Sequence, residues 1–315
     1  MLHRALLTAL TICLAPAALA EMVQIDGPAG PLSAEQIRVD GAKHAVVIVP
    51  GSGPIDRDGN IPQVDLASDS YKLLAEGLEA KGIASLRIDK RGFFSSAEAI
   101  SDPNDVTIAD YAADTRNWVN LAAGLAPCVW IAGHSEGGLV ALVAAQEPPE
   151  ALCGLILMAT PGRTVSNLMR EQIKAQPQMR PLMPQLEATL VELEAGRTSD
   201  PEELHPALRP MFEPGLQRYM INLFSYDPAV IAQDWAGPAL ILYGAADIQV
   251  KPEDANLLDA ALAQGEEALL PNATHMLKED VPGAPYATYS DPSLPLHGGV
   301  IPAITAFIER NDTTQ

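Results

Sequence analysis

The sequence predicts an α/β fold in which a mainly parallel sheet carries helices on both faces and one helical segment is inserted as a cap. Two patterns favour this fold. Short runs of β-branched and other apolar residues alternate with amphipathic helical stretches, as they do when successive parallel strands are joined by helices. Residues 161–237 interrupt the alternation with no convincing strand, and this segment is far longer than an ordinary connection.

The first half of the chain supplies strands and helices in turn. The run His44–Val49 (HAVVIV) is typical of a buried strand. The stretch Ser68–Lys81 is predicted to be a helix that carries its apolar residues on one face, which are Tyr71, Leu73, Leu74 and Leu78. The same patterns predict the elements that follow, which are strands at Ile83–Ile88, Cys128–Ala132 and Leu155–Met158 and helices at Ile108–Leu125 and Gly138–Gln146.

The second half resumes the alternation after the inserted segment. We expect strands at Ala239–Tyr243 and Glu267–Leu270, and helices at Pro252–Ala263 and Val300–Arg310. The segment 161–237 is rich in Met, Pro, Leu and Glu and has three helical stretches, at Thr164–Lys174, Pro184–Glu194 and Pro214–Phe224. Apolar, Met-rich segments over a sheet edge usually shape a pocket; the alternative is a peripheral insertion that never touches substrate. The sequence therefore predicts four parts: an export signal at 1–20, the first part of the α/β core at 21–160, the helical cap at 161–237 and the second part of the core at 238–315.

Residues 1–20 are typical of an export signal. His3 and Arg4 precede an apolar run, Ala5–Leu14, that is too short to span a bilayer. Residues 18–20 form an A-x-A cleavage pattern, which predicts a cut after Ala20 and a periplasmic or secreted protein without a membrane span. The alternative is a buried N-terminal helix.

The net charge and the composition of the chain limit the classes of function that it can have. The chain has 40 acidic and 20 basic residues, a net charge of −20 and only 5% aromatic residues. A nucleic acid would be repelled by this charge and would find few stacking partners, so no nucleic-acid partner is expected. There is no C-x-x-C pair and no H-E-x-x-H string. We therefore expect no metal site and no cofactor.

The string Gly133-His134-Ser135-Glu136-Gly137 carries the chemistry. G-x-S-x-G alone is common, but here it follows the predicted strand Cys128–Ala132 and opens a helix. A sharp strand-to-helix turn lifts a serine hydroxyl above the sheet, and the helix N-terminus favours developing negative charge. Ser135 is therefore the predicted nucleophile.

A serine needs a base to take its proton, and His275 is the best placed of six histidines. It follows the last predicted strand by a short loop, so it emerges at the sheet edge that presents Ser135. His297, before the last helix, is the alternative. The other four histidines are less suitable. His3 lies in the export signal and His44 at the far end of the sheet. His134 adjoins the nucleophile and is expected to point elsewhere, and His205 lies in the cap.

Asp247 is the predicted orienting acid. It follows the strand Ala239–Tyr243 and so reaches the same edge, and the order Ser135, Asp247, His275 is the one expected for a nucleophile on a strand-to-helix turn. The alternative for Asp247 is a turn or helix-capping role. Two backbone N–H groups, of Ser52 and Glu136, are expected to form the oxyanion hole.

Three charged side chains near the predicted site have two interpretations each. Asp56 and Arg57 lie just past the Ser52 loop, where Arg57 either contacts substrate or joins an ion-pair network that braces the loop with Lys90 or Arg91. Glu136 either binds a substrate amine or pairs with Arg57 or Arg91.

Several strings together resemble the α/β-hydrolase superfamily, and within it bacterial esterase-like hydrolases related to the serine aminopeptidase (S33) group. These strings are residues 50–54 (PGSGP), 56–60 (DRDGN), 89–92 (DKRG), 133–138 (GHSEGG), 225–228 (SYDP) and 244–250. The sequence departs from that group at Phe93 and Phe94, where relatives usually carry a glycine. The resemblance implies hydrolysis through an acyl-enzyme on Ser135.

The predicted function is cleavage of small-molecule carboxylic esters with a small to medium acyl group, as in carboxylesterases. One alternative is an aminopeptidase-like amide or peptide hydrolase with the same triad. Another is a catalytically silent binding module on the same fold.

Cys128 and Cys153 are predicted to form a disulfide. Cys128 lies seven residues before Ser135 and Cys153 lies seven before Thr160, so similar offsets on neighbouring parallel strands bring the sulfurs to one edge. The alternative is two buried free thiols, which a slip of one residue in register would produce.

Overall fold

The centre of the molecule is an eight-stranded sheet, seen in a computed structural model that describes residues 20–312. Its strand order is β1-β2-β6-β3-β7-β8-β9-β10, and β4 and β5 form a separate small hairpin. The last six strands in this order run parallel, whereas β1 with β2 and β2 with β6 pair antiparallel. The strands are β1 Ala20–Ile25, β2 Leu32–Ile37, β3 His44–Val49, β4 Asn60–Ile61, β5 Leu66–Ala67, β6 Ala84–Ile88, β7 Cys128–His134, β8 Leu152–Met158, β9 Ala239–Gly244 and β10 Gly265–Leu270.

Helices cover both faces of this sheet because the central strands are apolar on both sides. Alternate residues of β3 point to opposite faces: Val47 shares a core with α2 and α3, whereas Val46 shares a core with α1 and α10. The helices are α1 Ser70–Glu79, α2 Ile108–Ala122, α3 Glu136–Ala144, α4 Val165–Lys174, α5 Met183–Glu194, α6 Pro214–Phe224, α7 Pro228–Ala232, α8 Pro252–Ala261, α9 Ala287–Ser290 and α10 Val300–Arg310. The predicted fold class is thereby confirmed.

The first two strands were not predicted from the sequence. β1 (AEMVQI) is largely exposed at the edge of the sheet, and β2 (LSAEQI) mixes polar with apolar residues. Neither has the long apolar run that identifies a buried strand. β2 is held in the sheet by antiparallel pairing with β6, and β1 pairs with β2. The predicted export signal, residues 1–20, lies outside the described residues apart from Ala20, which begins β1.

Four helices, α4 to α7, lie between β8 and β9. The first three begin within a residue of their predicted starts. α5 buries Leu186 and Leu190 against the main core, and Phe212, in the turn before α6, joins them there. Among the described residues, none of the helices has the length and apolar character needed to cross a bilayer.

A disulfide joins Cys128 at the start of β7 to Cys153 in β8, with the Cα atoms 5.6 Å apart. Equal offsets would pair the two strands 25 residues apart, as Cys128 and Cys153 are, whereas Trp130 pairs with Gly154, 24 residues on, and Val129 with Leu152, 23 residues on. Cys153 occupies this irregularity in the ladder, which allows the two sulfurs to meet despite the slip.

Candidate active site

Ser135 occupies a sharp turn between β7 and α3. Its backbone has φ 54° and ψ −121°, a left-handed conformation that costs free energy for a residue other than glycine and that clusters at functional sites. The Ser135 N–H donates to the Met158 carbonyl at 2.8 Å, which fixes the turn against β8. The side chain is half-buried and lines a cavity. Its hydroxyl makes no hydrogen bond within residues 20–312.

Two glycines flank the turn because the backbone passes too close for a side chain. A Cβ atom at Gly133 would lie 2.2 Å from the Gly137 carbonyl oxygen, and one at Gly137 would lie 2.3 Å from the Val49 carbonyl oxygen. α3 therefore begins at Glu136, two residues earlier than predicted, directly after Ser135.

Asp247 and His275 form a buried pair after β9 and β10. His275 Nδ1 lies 2.8 Å from Asp247 Oδ2, and the two side chains are 4% and 1% exposed. The other oxygen, Oδ1, accepts from the backbone N–H groups of Gln249 and Val250 at 2.7 and 3.0 Å. Burial alone would raise the pKa of Asp247, but His275 and these N–H donors outweigh it and hold that pKa below its usual value.

This pairing sets the tautomer of His275. The ionised carboxylate of Asp247 can only accept hydrogen bonds, so Nδ1 of His275 carries the proton and Nε2 is left as the basic nitrogen. His297, the alternative base, lies with its Nε2 3.2 Å from Glu279. Neither His297 nor His275 is among the residues that line the Ser135 cavity, so the buried pairing of His275 with Asp247 is what distinguishes the two.

The loop after β3 supplies one predicted oxyanion donor. Gly51 N–H donates to the Tyr71 hydroxyl at 3.2 Å, so this donor is already occupied. The next N–H, of Ser52, has no acceptor within residues 20–312, and Ser52 lines the cavity beside Ser135. The N–H of Glu136 is the first of α3, where helical N–H groups lack an intrahelical acceptor.

The Glu136 carboxylate pairs with Lys90 and Ser52. Glu136 Oε1 lies 3.4 Å from Lys90 Nζ, and both side chains are at most 2% exposed; Oε2 accepts from Ser52 Oγ at 2.9 Å. Lys90 also donates to the Gly51 carbonyl at 2.6 Å. The expected pairing of Glu136 with Arg57 or Arg91 is therefore wrong.

Lys90, two residues after β6, takes the place expected for those arginines. Arg91 instead binds Asp114, through contacts of 2.8 and 2.7 Å.

Arg57 joins Asp89 in a brace beside the Ser52 loop. Its Nη2 lies 2.8 Å from Asp89 Oδ2, and its backbone N–H donates to Asp89 Oδ1 at 3.0 Å. Asp56 Oδ1 accepts from the N–H groups of Asp58 and Asn60, which closes a turn. Neither Asp56 nor Arg57 lines the cavity. The partner of Arg57 is an acid rather than the basic Lys90 or Arg91 because only opposite charges attract.

His134 faces away from the cavity but contacts the loop of the predicted base. Its Nδ1 lies 2.8 Å from the Tyr71 hydroxyl, and its Nε2 lies 2.8 Å from the backbone oxygen of His275. The rings of His134 and His275 are 4.7 Å apart between centroids. The sequence could not reveal this contact, because the two residues are 141 positions apart.

The cavity above Ser135 has a volume of about 530 Å³ and is mainly apolar. The core contributes its polar floor, with Ser52, Lys90, Ser135 and Glu136, and Phe93 reaches it from the loop after β6. The neighbouring Phe94 has φ 47°, a conformation that glycine adopts more easily. The inserted helices contribute the apolar side chains Val165, Leu168, Met169, Leu216, Met220 and Leu223.

No cluster of three or more metal-ligating side chains occurs within residues 20–312. The arrangement around Ser135 consists of a serine open to the cavity, a buried imidazole–carboxylate pair and two backbone donors. Such groups are the ones that acyl transfer requires.

Comparison with known proteins identifies one family profile and one curated relative. The profile of a family described as "Serine aminopeptidase, S33" matches residues 66–281. Esterase EstD of Thermotoga maritima is 30% identical over 213 residues, which are 67% of this chain and 48% of that protein. The chain thus spans about half the length of this curated relative.

Solved structures share the fold at lower sequence identity. A thermophilic esterase from Thermogutta terrifontis is 21% identical with a TM-score of 0.57, over 93% of this chain and 100% of that one. The α/β-hydrolase GrgF from a Penicillium species is 16% identical with a TM-score of 0.60, over 93% and 99%. These likenesses concern the fold alone.

Proposed function

The chain belongs to the serine aminopeptidase S33 family of the α/β-hydrolase superfamily, and from this membership we propose that it is a serine hydrolase of carboxylic esters. The observation that carries the proposal is the strained Ser135, which opens onto an apolar cavity. The buried His275–Asp247 pair at the same sheet edge supports it.

The proposed mechanism is two-step acyl transfer. His275 Nε2 takes the proton of the Ser135 hydroxyl while Oγ attacks the ester carbonyl. The N–H groups of Ser52 and Glu136 donate to the oxyanion. His275 then gives its proton to the leaving alcohol. In the second step His275 takes a proton from water as the water oxygen attacks the acyl-enzyme carbonyl. The acyl–Oγ bond then breaks, His275 returns the proton to Ser135 Oγ, and the acid is released.

The charge state of the cavity floor favours an ester over a free N-terminus as substrate. An aminopeptidase would use a carboxylate to hold the substrate ammonium. Glu136 is the acid in the cavity, but Lys90 and Ser52 already bind it, so its charge is largely compensated. The apolar side chains of α4 and α6 support an acyl group of small to medium length.

The test is a panel of p-nitrophenyl esters of rising chain length, assayed beside aminoacyl amides and with a fluorophosphonate probe. We expect ester turnover and labelling at Ser135. Ser135→Ala should lose labelling and about 10³-fold or more of kcat. The matched control Ser290→Ala changes an exposed serine on α9 and should keep both.

Two outcomes would contradict the proposal. Turnover that survives in Ser135→Ala would rule out this nucleophile. Hydrolysis of aminoacyl amides without esters would favour the aminopeptidase alternative, and binding of either class without turnover would favour the silent module.

A further inference from the structure

Three buried hydrogen bonds join the oxyanion loop to the loop of the proposed base. The Gly51 N–H donates to the Tyr71 hydroxyl at 3.2 Å, the Tyr71 hydroxyl lies 2.8 Å from His134 Nδ1, and His134 Nε2 lies 2.8 Å from the His275 backbone oxygen. Tyr71 and His134 are only 2% and 3% exposed. We call this set the Tyr71–His134 link.

The His275 carbonyl, at one end of the link, determines which group is the donor in each of its hydrogen bonds. The His275 carbonyl can only accept, so His134 Nε2 carries a proton and donates it. Burial lowers the pKa of His134 to about 3, so the ring is neutral and its Nδ1 is an acceptor. Burial also raises the pKa of Tyr71, so its hydroxyl stays protonated and donates to Nδ1.

The hydrogen bonds of the link engage polar groups beside the site, so that these groups cannot compete with the oxyanion donors or with the base. Because Gly51 N–H donates to Tyr71, it is not available to an oxyanion, whereas the next N–H, of Ser52, is. His275 is held at two points. Its backbone oxygen accepts a hydrogen bond from His134 Nε2–H, and its imidazole Nδ1 binds Asp247. His134 itself has no free nitrogen, so it cannot serve as a second base.

We infer that Tyr71 and His134 are positioning residues that hold the His275 loop and the oxyanion loop in a fixed relation to Ser135. Both loops must be correct in the same molecule for acyl transfer, since displacement of a catalytic group by about 1 Å can cost on the order of 10²-fold in rate. This inference rests on the proposed function, because it assigns the two residues a role in that reaction.

Nitrogen NMR of the histidine rings tests the bond pattern without any substrate. In protein labelled with ¹⁵N-histidine, the His134 signal is assigned by its loss in His134→Gln. It should show a protonated Nε2 and an unprotonated Nδ1 from pH 5 to pH 8. A protonated Nδ1, or an ionised ring in this range, would overturn the link.

Kinetics test the positioning role. Tyr71→Phe deletes only the hydroxyl and should lower kcat about 10-fold while KM changes less than about 2-fold. His134→Gln retains a donor near the position of Nε2, whereas His134→Asn retains only polarity near Nδ1. We therefore expect His134→Gln to keep at least about 5-fold more of kcat than His134→Asn.

Matched controls separate positioning from general destabilisation. Tyr226→Phe removes a hydroxyl from a partly buried tyrosine outside the cavity, and His44→Gln changes a buried histidine at the opposite end of β3. Both should keep the wild-type kcat. Circular dichroism and thermal unfolding measure the folded fraction by which each kcat is normalised.

Failure of the positioning role and failure of the proposed function would give different results. Wild-type kcat in both Tyr71→Phe and His134→Asn, beside an active parent protein, would overturn the positioning role and leave the esterase proposal standing. A parent protein that hydrolyses no ester would overturn the proposed function and this role with it.

Discussion

At the residue scale, three consecutive side chains take different environments because the turn directs them apart. His134, the last residue of β7, points under the sheet edge to the His275 backbone. Ser135 faces the cavity. Glu136, the first residue of α3, turns to Lys90 and Ser52. A single strained φ at Ser135 thus separates a positioning residue, a nucleophile and a buried ion pair.

The choice of base is testable at this scale. His275→Ala should be about as damaging as Ser135→Ala, because members of a triad act as a unit. His297→Ala should cost less than about 3-fold, since His297 pairs with the exposed Glu279 rather than with a buried acid. The measurement is kcat/KM on the best ester of the panel. A larger loss in His297→Ala than in His275→Ala would exclude our assignment.

At the element scale, α4 and α6 form one wall of the cavity and the sheet edge forms its floor. α4 is strongly amphipathic, with Leu168 and Ile173 buried and charged residues outside. α6 likewise buries Met220 and Leu223. The helical period of these apolar residues, visible in the sequence, decides which side chains reach the cavity.

Acyl-length preference should therefore depend on these two helices. Leu168→Ala and Met220→Ala remove apolar volume from the cavity wall, so each should shift the preferred ester toward longer acyl chains by about 2 carbons. Labelling of Ser135 should persist. Val191→Ala, on the exposed face of α5, is the control and should leave the profile unchanged. An unaltered profile in all three variants would indicate a peripheral insertion.

At the scale of the whole molecule, the chemistry lies at the carboxyl ends of the strands and the disulfide at their opposite ends. Cys128 begins β7 and Ser135 follows it, so about 20 Å of strand separates the two sites. Stability and turnover can therefore be changed independently.

The disulfide should stabilise the fold without affecting catalysis. It spans 25 residues, and restriction of the unfolded chain by a loop of this size contributes about 3 kcal/mol. The paired substitution Cys128→Ala with Cys153→Ala should lower the free energy of unfolding by about that amount, measured in urea, while kcat stays within about 2-fold. Equal stability of oxidised and reduced wild-type protein would contradict this.

Acid should destabilise the molecule through His134. The folded pKa is about 3 because the ring is buried, whereas an unfolded histidine titrates near ~6.5. Between these values the unfolded chain binds a proton that the folded protein does not, so the free energy of unfolding decreases as pH falls. From pH 7 to pH 5 the expected loss is about 2 kcal/mol. Urea unfolding of His134→Gln at both pH values should show a smaller loss; an unchanged difference would exclude this cause.

The sequence by itself determined the parts of the protein that depend on local pattern. The buried run at His44–Val49 is a strand with the predicted bounds, and the strand before Ser135 and the helix after it follow from apolar runs and the G-x-S-x-G string. The outer strands β1 and β2 lacked such a pattern, because they are held in the sheet by pairing, β2 with β6 and β1 with β2.

Only the tertiary structure decided which distant side chains meet. The partners of Glu136, Arg57 and His134 are set by the directions in which β6, β7 and the loops around them deliver side chains into a shared interior. Sequence spacing carries no information about these directions across 46 residues, for Lys90 with Glu136, or 141 residues, for His134 with His275. Local periodicity follows from the geometry of one helix or strand, whereas a buried charge pair needs the packing of several elements at once.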